Sequence, residues 1–177
     1  MTVYISLLRG VNVGGRKIPM NELKQLYESL NFNKVKSYIQ SGNLIFESPR
    51  REIKELEKEI EEKLEDNYDF PIHIFIRTTD ELDEIIKNNP FANETLKNIH
   101  ITFLKETPED IPVDLINERK DPSEKFITKE REIYLFLPRG YGRTKLSNNF
   151  FESKLKIKAT NRNWRTVNQL YKLAKDL

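Results

Sequence analysis

The residues best suited to chemistry gather near the start of the chain. Arg9-Gly-Val-Asn-Val-Gly-Gly-Arg-Lys17 sets Gly10, Gly14 and Gly15 among the cations Arg9, Arg16 and Lys17. Glycine adopts positive φ without a steric cost and lets a ligand approach the backbone. A Gly-rich turn ahead of a helix also presents N–H groups to an anion. The expected chemistry is therefore capture of a negatively charged group. It is not that of a P-loop. After the Gly10-x4-Gly15 spacer, Arg16 stands where the phosphate lysine belongs and Lys17 where a Mg²⁺-binding hydroxyl belongs.

A second group lies toward the other end. From Arg139 to Arg165 there are eight bases and one acid, Glu152, whereas residues 47–66 carry nine acids and five bases. The net charge of +2 conceals this asymmetry, and a basic patch is expected on a near-neutral protein. Ala159-Thr-Asn-Arg-Asn-Trp-Arg-Thr-Val reads as a helix from Asn161 to Lys175 capped by Thr160. On that reading Arg162 and Arg165, three apart, share a face and grip one phosphate or carboxylate together. Trp164 then stands ready to stack on a base or sugar, although a lone Trp near a helix start more commonly packs as a core or staple residue.

Other chemistries find little support. The chain has no cysteine, so disulfides, thiolate nucleophiles and Cys-ligated metals are excluded. His73 and His100 fall in strands without metal-ligand spacing and read as ordinary sheet histidines. Ser6 and Ser41 lack a nucleophile motif. No catalytic residue, metal or cofactor is assigned. The N-terminal apolar run stops at Arg9, too short for a signal peptide, and no stretch approaches membrane-spanning length, so a cytoplasmic protein is expected.

These residues must be held by elements legible in the apolar periodicity. Val3 to Leu8 is a β-branched-rich strand. Met20, Leu23, Leu26, Tyr27 and Leu30 recur at helical spacing. Val35 to Gln40 and Leu44 to Phe46 flank the Ser41-Gly-Asn43 turn as two strands. Ser48-Pro49 predicts a helix opening, followed by the stripe Ile53, Leu56, Ile60 and Leu64 with a solvated Glu/Lys surface paired as in Glu59–Lys63. Ile72 to Arg77 alternates as a strand. The order βαββαβ is ferredoxin-like. It is also the order of the RNA recognition motif, but Ser41 to Ser48 has one aromatic and no basic start, so that motif's stacking platform is missing.

A second half, 79–177, follows the first, 1–78, without a long linker. Thr79 caps a helix with Leu82, Ile85 and Ile86, Ile99 to Leu104 is a strand, and Val113 to Arg119 a short helix. Lys125 to Thr128 and Glu132 to Leu137 form a hairpin, and residues 147–155 a helix. This half roughly echoes the first without a clean repeat, and the fold expected is α+β with the two halves packed together.

Leu7-Leu-Arg-Gly-Val-Asn-Val-Gly-Gly…Ile18-Pro-Met, Tyr38-Ile-Gln-Ser-Gly-Asn43 and the tail Ala159-Thr-Asn-Arg-Asn-Trp-Arg-Thr-Val together resemble the uncharacterised bacterial DUF1697 family. The tail departs from that family's closing signature only in having Asn161 where Ala is usual. The resemblance implies a compact cytoplasmic α+β protein of ferredoxin-like character and carries no activity with it.

In a ferredoxin-like sheet strands one and three are antiparallel neighbours, which brings the Gly loop beside the Ser41-Gly-Asn43 turn. Asn12, Arg16, Gln40, Ser41 and Asn43 are expected to converge there, with Arg162, Trp164 and Arg165 of the tail closing the pocket. The expected function is binding of a phosphate-bearing ligand, either a nucleotide or a nucleic acid. The alternative is an enzyme acting on a small anionic substrate in the same pocket. The partner is an anionic small molecule or nucleic acid and not a membrane, and the oligomeric state is left open.

Overall fold

The computed structural model describes residues 1–177. The fold is α+β, with two four-stranded antiparallel sheets. The chain divides into two compact units, one made of Met1–Glu84 with Gln169–Leu177 and the other of Ile85–Asn168.

The first unit runs β1 (Thr2–Arg9), α1 (Met20–Ser29), β2 (Asn33–Ser37), β3 (Asn43–Ser48), α2 (Ile53–Asn67) and β4 (His73–Thr78). Its strand order is β2-β3-β1-β4, the ferredoxin-like arrangement. Tyr4, Leu8, Leu44, Phe46, Ile74 and Ile76 pack on one face against Leu23, Leu26 and Tyr27 of α1 and Leu56, Ile60 and Leu64 of α2. Phe32 and Phe46 stack at 4.4 Å, and Tyr27 keeps its hydroxyl satisfied by Ser6 Oγ at 2.7 Å. The alternate residues Ile5, Leu7, Ile45 and Phe75 are buried too, which explains why β1 reads as a near-continuous apolar run rather than an alternation.

The second unit repeats this plan. After α3 (Thr79–Lys87), which begins in the first unit, come β5 (Ile99–Leu104), α4 (Val113–Arg119), β6 (Lys125–Lys129), β7 (Glu132–Phe136), α5 (Asn148–Leu155) and β8 (Ala159–Asn163). The order β6-β7-β5-β8 is the same permutation as in the first sheet. A core of Leu104, Ile116, Ile133, Leu135, Leu146, Phe151 and Ala159 lies under α4 and α5. The chain ends in α6 (Trp164–Lys175).

Several local expectations differ from what is observed. β2 ends at Ser37 instead of running to Gln40, because Tyr38 N–H turns back to Asn43 O at 3.0 Å and Ile39 takes φ +48. Ser48-Pro49 does not open α2: Ser48 is the last residue of β3, paired with Thr2, and the helix starts at Ile53 after Glu52. The acidic α2 is not merely solvated. Glu61 Oε1 accepts Ile74 N–H at 2.8 Å and Glu57 Oε1 accepts Ile76 N–H at 2.9 Å, while Glu59 pairs with Arg51 and not Lys63. The α3 cap is Thr78, in a reciprocal pair with Glu81, rather than Thr79. Thr160 does not cap a helix. Residues 159–163 form β8 alongside β5, and Asn163 Oδ1 caps α6 by accepting Thr166 N–H at 2.8 Å.

Candidate functional site

The Gly-rich stretch folds into a small finger. Gly14 (φ +56) and Gly15 (φ +84) are the two central residues of a hairpin turn closed by Arg16 N–H to Val13 O at 3.0 Å. Two successive left-handed residues define a type I′ turn, which Gly-Gly accommodates without strain. Asn12 N–H donates to Arg16 O at 2.7 Å and completes the finger. The glycines therefore reverse the chain well ahead of α1, whose capping residue is Pro19. They do not place a ligand on the α1 N-terminus, as their position in the sequence suggested.

The finger is fixed at its base. Asn12, itself at φ +58, accepts Ile18 N–H on Oδ1 at 2.9 Å and donates Nδ2 to the carbonyl of Gln40. Val11 and Ile18 are buried on either side of it. The second loop, residues 38–42, lies alongside because β1 and β3 pair with Leu7 opposite Asn43, and Leu8 N–H reaches Gly42 O at 2.9 Å. Gly42 is required there: a Cβ at φ +81 would fall 2.9 Å from Leu8 Cβ.

The structure thus brings Asn12, Gln40, Ser41 and Asn43 into one paired-loop assembly. Within it the roles divide. Asn43 is fully buried and donates to Tyr38 O and Ser41 Oγ, both at 3.0 Å, so it fastens its own loop and faces no ligand. Gln40 serves the assembly through its carbonyl, leaving its side chain exposed. Ser41 is exposed. Arg9 ends β1 half-buried opposite His73, and Gly10 follows at φ +88. Arg16 lies 5.6 Å above the Phe70 ring with its guanidinium exposed, and Lys17 is exposed beside it. The amides of Gly14, Gly15 and Lys17 have no acceptor in the chain.

Two features were missed in the sequence. Val13 at the finger and Ile39 on the neighbouring loop are 60% and 51% exposed. Ile39 is also a β-branched residue in the left-handed region, an outlier that persists only where the surroundings enforce it. The signal was present: the apolar alternation of β2 fails at Tyr38-Ile39, immediately before Ser-Gly.

The tail residues belong to the second unit, and the paired loops to the first. Arg162 lies in β8 and Arg165 in the first turn of α6, so they do not share a helical face. Arg162 is buried and donates to Thr160 Oγ1 at 3.0 Å and Asn161 O at 2.8 Å, and burial pulls its pKa down to about 10. It remains charged near neutral pH but is no surface contact. Trp164 is half-exposed at the start of α6, and Arg165 is exposed.

His100 in β5 pairs its Nδ1 with Asn161 Oδ1 at 3.0 Å, and Asn161 Nδ2 donates to Thr102 Oγ1 at 3.0 Å. This orientation of the amide makes Nδ1 the protonated nitrogen. Burial lowers the His100 pKa, so the ring is neutral at pH 7 and sits in a structural chain.

The family model described as "Protein of unknown function (DUF1697)" matches residues 1–134, a span that contains both loops. No curated protein matches the chain. Among solved structures, the conserved bacterial protein SP0830 from Streptococcus pneumoniae is similar, at 26% identity over 98% of each chain with a TM-score of 0.66. No helix is long and apolar enough to cross a membrane.

Proposed function

We propose that this chain, which belongs to the DUF1697 family of proteins of unknown function, binds a phosphate-bearing ligand through the paired loops at one end of its first sheet. The observation that carries this reading is the Gly14-Gly15 tip. It raises Arg16 and Lys17 into solvent together with backbone amides that have no other acceptor. Successive N–H groups and cations of this kind favour an anion. The Asn12 bonds to Ile18 and Gln40 hold the tip in one geometry, so little ordering cost is left for binding.

The tip projects, with Val13 and Ile39 exposed on the two loops. Such a surface suits a ligand that runs past it more than one that is enclosed. A nucleic-acid strand fits this description, its phosphates meeting Arg16 and Lys17 and its bases lying on the apolar side chains. The cytoplasm is where such a strand would be met.

A labelled single-stranded oligonucleotide titrated at several salt concentrations tests the reading. Log affinity is expected to fall linearly with log salt, and Arg16→Ala with Lys17→Ala to reduce that slope by about 1.4 while weakening all sequences alike. A double variant that binds as the wild type does would remove the loops from the interface. Mononucleotide binding with a shallow slope would replace the strand with a small anion.

A further inference from the structure

The second unit carries an open groove of about 620 Å³ beside α4 and α5. Arg119, at the end of α4, Lys145, ahead of α5, and Lys154, in its last turn, all line it. No carboxylate is among the lining residues. That is unusual in a chain with 28 acids to 30 bases. Elsewhere in the same unit cations do find carboxylates: Lys125 pairs with Glu94, Arg139 with Asp121 and Lys158 with Glu152. The three groove cations pair with none. Arg119 instead lies 5.8 Å from the centre of the Phe150 ring, a contact that positions the guanidinium while leaving its N–H donors unused.

The hydroxyls in the groove point to the same chemistry. Thr144 Oγ1 accepts Leu146 N–H at 3.0 Å, and Ser147 Oγ accepts Phe150 N–H at 3.2 Å as the cap of α5. A hydroxyl whose oxygen already accepts from the backbone keeps its own proton to donate. Asn148 N–H is taken by Tyr141 Oη at 2.9 Å. The α5 N-terminus is thus largely satisfied, and side chains make the site. Around one space the groove offers three cations without carboxylate partners, two hydroxyls able to donate and no lining acid.

We propose that this groove binds a small phosphate-bearing molecule, at a site separate from the loops of the first unit. Its phosphate oxygens would take the Arg119, Lys145 and Lys154 donors and the Thr144 and Ser147 hydroxyls, with the Phe150 ring as an apolar wall for the remainder of the ligand. The volume falls in the ordinary range for small-ligand sites. The proposal does not depend on the loops binding anything.

Inorganic pyrophosphate is the probe, titrated calorimetrically into the full chain at fixed low ionic strength. Saturable binding is expected, with the backbone amide resonances of Thr144 to Phe150 shifting as the groove fills. Lys145→Gln with Lys154→Gln should weaken binding about tenfold or more, since each removes a charge-assisted bond. Both lysines are exposed, so folding is preserved, which a far-ultraviolet spectrum verifies. Lys58→Gln, at an exposed lysine of α2 that belongs to neither site, should leave pyrophosphate binding unchanged. Absence of saturable binding, a Lys145/Lys154 variant within twofold of wild type, or resonance shifts confined to residues outside Thr144 to Phe150 would each overturn the proposal.

Discussion

Gly14 and Gly42 both take positive φ, yet their surroundings differ. Around a Cβ built on Gly14 there is nothing within 4 Å, whereas one on Gly42 meets Leu8 Cβ at 2.9 Å and Leu8 O at 3.5 Å. Replacing Gly42 by Ala adds a packing clash to left-handed strain and is expected to cost about 1–3 kcal/mol. Gly14→Asn, a residue that tolerates this conformation in type I′ turns, should stay within about 0.5 kcal/mol of wild type. Urea midpoints of the two variants check the contrast, and a Gly42→Ala protein as stable as its parent would refute the close approach. In the sequence the two glycines looked alike. Which one is crowded depends on β1 lying against the second loop, a long-range pairing that no local pattern encodes. Asn43 illustrates the same point, since a polar residue beside a Gly turn reads as available until its burial is seen.

At the scale of elements, the edge of β4 is protected in a specific way. β4 pairs only with β1, so its outer amides need other acceptors. Residues four apart on a helix rise about 6 Å, and residues two apart on a strand about 6.6 Å. Glu57 and Glu61 of α2 therefore match Ile74 and Ile76 of β4 and accept their N–H groups. Glu57 is 3% exposed, and truncating it to Ala is expected to cost about 1–3 kcal/mol by orphaning a buried amide. Glu62→Ala, on the exposed face of the same helix, should be near neutral. Equal losses for the two variants in thermal unfolding would contradict this account. The helix stripe and most strands were legible because apolar periodicity reports burial directly. The edge role was not, because a Glu-rich helix looks the same whether its carboxylates meet water or a strand. β8 was missed for a related reason: Thr160-Asn-Arg-Asn163 has little strand propensity and becomes a strand by pairing with β5.

Over the whole molecule, one βαββαβ plan occurs twice, and recognising β8 completes the second copy. The sequence showed an echo without a repeat because the order of strands is preserved while the residues filling it are not. The first unit is not continuous in the chain, since Gln169–Leu177 belongs to it. Leu170 and Ala174 are buried there, and Lys34 Nζ donates to Leu177 O at 3.1 Å. A chain ended at Asn168 keeps every residue of the second unit but lacks part of the first. Its melting point should drop by about 5–10 °C, with amide exchange rising in β1 and β3 before β5 and β7. Faster exchange in β5 first would contradict that division. The finger holds a practical consequence of its own. Val13 projects into solvent, does not share the positive φ of Gly14 and Gly15, and stands in a chain devoid of sulfhydryls. Val13→Cys would therefore be the sole thiol, and a dye attached there becomes an optical reporter of whatever docks beside it.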